Sequence, residues 1–382
     1  MNFEYSSEES ARVEAFRSAL AGDEIASKGE ALQGEDAAPE VRNRLRRELM
    51  AFLGERGYLG LEVPKAEGGQ GLPALAALPW HEALAGADPS LFAVAEASST
   101  VAWLLARAGS PEQKARFLQG LLAGTTLASP VLSSPLARDP AGVALPAPSG
   151  WTLSGVAAPV VNVADVDLYV VSALARGDGD ERVPALFLVS RDTQPGEAEA
   201  WQTPGLKGAG LGRLGLGAAL PPDARLDGSA DVPALLRRTT EVRCLRWAAF
   251  ALGVSRELVE RSLTYANEVQ VDGRALFKNQ EYSFKIAEMY ALTDTGEQLC
   301  RHAAWQHDTG DARAATTVRA AKLFCGETAS RSAHLAAQIR GAHGYRIDPV
   351  QRLCRDARFA ELAVVSSEVL RGEIAADVLK GV

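Results

Sequence analysis

Gly210-Leu211-Gly212-Arg213-Leu214-Gly215 has the spacing GxGxxG, and its reading decides the fold. In a dinucleotide-binding βαβ unit this spacing follows a strand and opens a helix, whose first amides hold a pyrophosphate. Here the stretch runs into Pro221-Pro222 rather than into a helical pattern. No helix N-terminus is on offer, so the segment reads as glycine-rich β structure.

Outward from it, from about Thr125 to Arg238, short β-type runs alternate with Gly, Pro and Asp. Asp167-Leu168-Tyr169-Val170-Val171-Ser172 and the run Val183 to Val189 flank Gly177-Asp178-Gly179-Asp180, the pattern of a hairpin with a longer turn. Beyond this block on both sides the period is helical. From about Glu9 to Ala123 apolar residues recur at three and four, and Ser110-Pro111-Glu112-Gln113 is a helix start, with Ser as cap and Pro in the first turn. From Thr239 onward the stretches Ala248 to Tyr265, Glu281 to Trp305 and Ala314 to Gln338 are long helices, the first with Leu252, Leu258, Val259 and Leu263 on nearby faces. Helices, then strands, then helices make an α+β chain and not the βαβα alternation of a doubly wound sheet. The divisions fall at 1–124, 125–238 and 239–382.

A chain of 382 residues with 47% hydrophobic and 23% charged residues has the make-up of a soluble globular protein of two or three domains. Its net charge of -8 supplies no basic face for nucleic acid or anionic lipid, and no run approaches the ~20 apolar residues of a bilayer span. The opening residues Met1 to Glu9 are acidic, unlike the basic start of a secretory leader. The 4 cysteines, Cys244, Cys300, Cys325 and Cys354, form no CxxC pair, and His302 and His307 are off the period of one helix face. The expectation is a cytoplasmic protein with reduced thiols, no metal, and no nucleic-acid or membrane partner.

Several stretches stand in a telling order: Gly57-Tyr58-Leu59-Gly60-Leu61-Glu62-Val63-Pro64 with Glu67-Gly68-Gly69-Gln70-Gly71-Leu72; Gly109-Ser110-Pro111-Glu112-Gln113-Lys114; Gln338-Ile339-Arg340-Gly341-Ala342-His343-Gly344-Tyr345; and Arg355-Asp356-Ala357-Arg358. Together they resemble the acyl-CoA dehydrogenase family over nearly the whole chain. The resemblance implies an N-terminal helical domain, a central β domain and a C-terminal four-helix bundle. It also implies FAD between the β domain and the bundle, completed by a second subunit, and a glutamate that takes the α-proton of an acyl thioester.

The departures fall on the chemistry. In the tail, Glu361-Leu362-Ala363-Val364-Val365-Ser366-Ser367-Glu368 puts Val364 where the family carries the base, with Glu361 and Glu368 three and four residues away and, if the stretch is helical, on the same face. At the alternative base position of some members stand Arg243 and Cys244, with Glu241 two residues upstream. Leu132 and Ser133 open the segment that resembles the flavin loop, which continues into Arg138-Asp139-Pro140 where the family has Gly-Ser-Asp. Asn162 survives from the next flavin segment, whose aromatic and hydroxyl are replaced by Pro159 and Val161. Val269 stands for the arginine that meets the pyrophosphate and Asp272 for a phenylalanine, while Gln280, Gln338, Gly341 and Ala342 keep or nearly keep the family's cofactor-side pattern. A charge-assisted hydrogen bond to a diphosphate is worth ~1.5–3 kcal/mol, and with several of the donors replaced FAD is expected to bind weakly or not at all.

The leading expectation is therefore an acyl-CoA dehydrogenase-like protein that holds an acyl thioester, of CoA or a carrier protein, without ordinary FAD-dependent dehydrogenation. It would be a homo-oligomer or the partner of an active paralogue. A dehydrogenase with a relocated base, and a flavin-dependent monooxygenase on the same fold, are the alternatives.

Overall fold

The computed structural model describes residues 5–34, 37–132, 142–176, 182–193, 196–226 and 231–380. Caps set the first helices. Ser6 and Glu9 form a reciprocal capping box that starts α1 (Ser7–Leu20); α2 (Asp23–Leu32) and α3 (Pro39–Glu55) follow, then α4 (Ala74–Ala87). The Asp88 carboxylate accepts from the Leu91 amide at 2.9 Å to open α5 (Pro89–Ala108). Ser110 and Gln113 cap each other's backbone at α6 (Pro111–Leu122), as the sequence predicts. Helix α5 is apolar and long enough by composition to cross a bilayer, yet apart from Arg107 it is buried inside the protein.

The central strands are β1 (Ala128–Val131), β2 (Gly142–Ala147), β3 (Gly150–Val160), β4 (Leu168–Arg176), β5 (Arg182–Ser190), β6 (Ala198–Ala200) and β7 (Gly212–Leu220), in one 7-stranded sheet. Strand β4 takes the parallel β1 and β2 along one edge and the antiparallel β5 along the other, so the expected hairpin is present; its turn at 177–180 lies outside the described residues. The GxGxxG stretch enters strand β7 and opens no helix. A Cβ on Gly212 would sit 2.1 Å from the Glu199 carbonyl, so this glycine serves the close approach of β6 and β7.

Helix α7 (Val232–Glu268) spans 37 residues and begins before Thr239, where the sequence places the return of helix. Asp231 caps it by accepting from the Ala234 amide at 3.0 Å, and Pro233 lies in its first turn. Pro read as loop punctuation is here a helix starter. Leu252, Leu258 and Val259 are buried as expected, whereas Leu263 is 43% exposed. Strands β8 (Gln270–Val271) and β9 (Arg274–Ala275) form a two-residue hairpin with Asp272 and Gly273 both at positive φ. That turn favours Asp-Gly, which gives Asp272 a local structural reason. Helices α8 (Gln280–Thr309) and α9 (Ala314–Ile339) pack with α7, and the fourth side of the bundle is shared by α10 (Pro349–Ala357) and α11 (Ser367–Leu379), both on α9.

Among the described residues, side-chain and backbone contacts join the domains to one another. Arg47 on α3 donates to Asp165 at 2.9 Å and to Asp167 at 3.1 Å beside the sheet. Asp356, buried in the Arg-Asp-Ala-Arg stretch, accepts from the Leu206 amide at 2.5 Å, and burial pushes its carboxyl up to about 7. Gly253 on α7 lies so close to α4 that a Cβ would meet the Glu82 carbonyl at 2.3 Å.

Candidate functional site

The tail does not continue as a helix through Val364. A 3-10 turn, Arg358–Glu361, ends before it, and Ser366 caps α11 after it. Val364, half-buried, has φ 63°. A β-branched residue with left-handed backbone is strained. The shared helical face expected for Glu361, Val364 and Glu368 therefore does not exist, because a capping serine forces the chain out of helix before α11. Glu361 is engaged by the Ser330 hydroxyl and by Arg358 at 2.5 Å. Glu368 is exposed, and hydrogen bonds from its own amide and the Ser366 hydroxyl hold its carboxyl below the usual range.

Beside this turn lies a cavity of about 440 Å³ between the start of α7, the start of α9 and the tail. Leu236, Val318, Val365 and Leu370 supply apolar wall, and Glu241 and Cys244 supply polar groups. Glu241, placed upstream of the alternative base position, is thus brought into one cavity with Val365. Its carboxylate lies 3.1 Å from Nδ1 of the buried His307 at the end of α8. Burial pushes the Cys244 thiol up to about 11, so it stays protonated and is a poor nucleophile.

Arg243 faces the N-terminal domain instead. It donates from Nε and Nη2 to the two oxygens of Glu96 on α5, at 2.8 and 3.1 Å. Arg246 donates to Glu62 at 2.7 Å and to the Thr100 hydroxyl at 3.0 Å, and that hydroxyl donates to Glu96 at 2.9 Å. His81 lies 3.5 Å from Glu62 and meets the Tyr58 hydroxyl at 2.8 Å. Burial alone would raise Glu62, but Arg246 and His81 outweigh it and hold the carboxyl at about 2. The alternative base position that the resemblance implies is thus filled by a guanidinium locked in a buried ion-pair network.

The cofactor-side residues divide. Leu132 is half-buried against core shared by α5, α6 and the sheet; Ser133 and Arg138 to Pro140 lie outside the described residues. Asn162 is buried, donating its side-chain amide to the Asp165 carbonyl at 2.7 Å and its backbone N–H to the Ala209 carbonyl at 2.8 Å. Gln280, Gln338, Gly341 and Ala342 are exposed. Arg340, next to Gly341, stacks over Tyr265 at 4.7 Å, which brings the ends of α7 and α9 together. At Val269, the residue expected from the resemblance to stand by a pyrophosphate, the amide donates to the Tyr265 carbonyl at 3.0 Å and the carbonyl accepts from the Leu276 amide at 2.8 Å. Asn162 and Val269 thus spend these particular backbone and side-chain groups within the chain.

Glu96, His307 and the buried Lys322 of α9 escape a reading of the sequence. Each is a lone residue whose partner is distant in the chain, and only the capping pattern Ser366-Ser367-Glu368 gives local warning that the tail breaks.

The chain matches the acyl-CoA dehydrogenase N-terminal domain over residues 11–125 and the acyl-CoA dehydrogenase C-terminal domain over 235–379. It is 30% identical to a probable acyl-CoA dehydrogenase of Bacillus subtilis, across 86% of this chain and 88% of that one. Glutaryl-CoA dehydrogenase from Mycobacterium smegmatis superposes with a TM-score of 0.85 at 25% identity, covering 99% of this chain and 96% of that one. A structure of a glutaryl-CoA dehydrogenase from the same organism in complex with FADH2 has a TM-score of 0.85 at 20% identity, covering 98% and 95%. With the helical, β and helical parts in the expected order, the chain belongs to the acyl-CoA dehydrogenase family.

Proposed function

We propose that this chain holds an acyl thioester, of CoA or a carrier protein, and does not carry out ordinary FAD-dependent α,β-dehydrogenation. The observation that carries this reading is the tail turn. Val364 has no proton acceptor, Glu361 is tied to Ser330 and Arg358, and Glu368 stands in solvent. The inward-spent polar groups of Asn162 and Val269 favour weak FAD binding. Such a chain serves as a flavin-free binding protein or as the silent partner of an active paralogue. Exposed Phe284 and Tyr290 on α8, at 66% and 62%, are in keeping with assembly into an oligomer.

A general base is worth ~10²–10⁴-fold in rate. The test assays wild type beside Val364→Glu on straight-chain acyl-CoAs, with added FAD and an artificial electron acceptor. Silence from the wild type supports the reading, and brisk wild-type turnover defeats it. FAD titration checks the cofactor half, with a dissociation constant weaker than about 1 μM expected.

One observation favours a second reading, a dehydrogenase with a displaced base. Glu241 shares the cavity with Val365 and is backed by His307. Wild-type turnover abolished by Glu241→Gln would establish it.

A further inference from the structure

Lys322, Gly326 and Ser330 lie one turn apart on a single face of α9, and all meet the tail where it changes direction. Lys322 is 1% exposed. Its ammonium donates to the Val365 carbonyl at 2.5 Å and to the Glu361 carbonyl at 3.2 Å, two peptide oxygens that bracket Val364. At Gly326 the helix runs close under the tail, and a Cβ there would lie 3.4 Å from the Ala360 carbonyl, an ordinary contact. Ser330 donates to the Glu361 carboxylate.

Between these anchors Val364 keeps its left-handed backbone at φ 63°. Strain of this kind persists only where the surroundings over-determine it. Within the turn itself, the Val365 amide donates to the Ala363 carbonyl at 2.7 Å, a tight three-residue turn closed over Val364, and the Leu362 amide donates to the Phe359 carbonyl at 3.0 Å. The two lysine bonds add the hold from outside the turn, tying its two flanks to α9. A lysine is seldom buried completely, and burial pushes this one down to about 8, with Cys244 of α7 and Glu361 and Glu368 of the tail as its charged or titratable neighbours. Protonated or neutral, the amine has enough hydrogens for both carbonyls.

We propose that Lys322 is a positioning residue: by gripping the carbonyls on either side of Val364 it holds the turn left-handed and keeps Val365 and Leu370 in the wall of the cavity that contains Glu241. The ligand assigned to that cavity rests on the acyl-thioester reading; the clamp itself does not. A side chain that merely fills a core site would be indifferent to what occupies position 364. A clamp is needed because that residue is β-branched, and glycine, which takes positive φ freely, relieves the need.

The experiment compares the full-length wild type, Lys322→Met, Val364→Gly and the double variant by amide hydrogen exchange and by calorimetric titration with butyryl-CoA. In Lys322→Met, exchange at residues 362–366 is expected to rise roughly tenfold while the distant helices are unchanged, and butyryl-CoA affinity to fall by about the same factor. The double variant is expected to recover both toward the wild type. Exchange in Lys322→Met within about twofold of wild type, or a double variant as impaired as Lys322→Met, overturns the clamp. Should Lys322→Met not fold, Lys322→Gln, whose amide still reaches one carbonyl, is judged with and without Val364→Gly by the same criteria. A wild type that does not bind butyryl-CoA counts against the acyl-thioester reading, and the exchange comparison then decides the clamp alone.

Discussion

On one side of the first half of α7, Arg243 and Arg246 enter the N-terminal domain and find Glu96, Glu62 and the Thr100 hydroxyl waiting; on the other, Thr240, Glu241 and Cys244 face a cavity, and among the described residues Glu241 has one hydrogen-bond partner, His307. The Glu96 side chain is 0% exposed and the Glu241 side chain 28%. The difference separates charge that builds from charge that is available. A carboxylate whose oxygens are already taken by guanidinium and hydroxyl donors has no capacity left for a ligand. One with a single partner and open space beside it keeps that capacity.

The largest break in this comparison comes from Glu96→Ala, which leaves Arg243 and part of Arg246 buried without countercharge. The expected loss is about 3–5 kcal/mol in urea denaturation. A loss below about 1 kcal/mol would mean that water reaches the network and that the two sides are alike.

A smaller effect, on the order of 3 kcal/mol, is expected from pH, because other buried carboxylates lack so close a cation. Burial raises Glu82 to about 7, Asp88 to about 6 and Asp356 to about 7. Between their unfolded values near 4 and these folded values, the folded state holds more protons than the unfolded one. Their contribution is therefore present in acid and lost as pH rises through that window. Glu62, held at about 2, acts in the opposite sense, and its contribution disappears only as pH falls below the unfolded value. Denaturation midpoints are thus expected to be higher near pH 5 than near pH 8. A rise over that interval would show that Glu82, Asp88 and Asp356 are ionised and well paired.

The smallest effect sharpens the contrast. Glu241→Gln is expected to change stability by less than about 1 kcal/mol, as partly exposed ion pairs do. A larger loss would place Glu241 with Glu96 among the structural charges.

The helix, strand, helix order is legible in the sequence because periodicity and caps are local: Ser110 with Gln113, the β runs around Gly177, the return of helix after the sheet. The start of α7 is not, since Pro233 looks the same as a breaker and as a first-turn residue. At the site, the expectation that Val364 stands where the family carries its glutamate comes from the sequence. What surrounds it is not legible there. Lys322 sits in an alanine-rich helical stretch with no mark of its role, His307 is one scattered histidine among 5, and Glu96 is a lone acid in an apolar helix. Such residues acquire meaning only when tertiary packing supplies their partners.

The crossing of α4 and α7 has a mechanical consequence. Where Gly253 meets the Glu82 carbonyl there is no side chain between the helices to bend or repack. The two rods touch backbone to backbone past the middle of α7, so rolling α7 away from α4 means parting main chains. The cavity-lining residues Leu236 to Cys244 lie roughly two turns or more along the helix from this contact, so the crossing anchors α7 at a point remote from the cavity, while the cavity's outer wall is the tail that Lys322 holds.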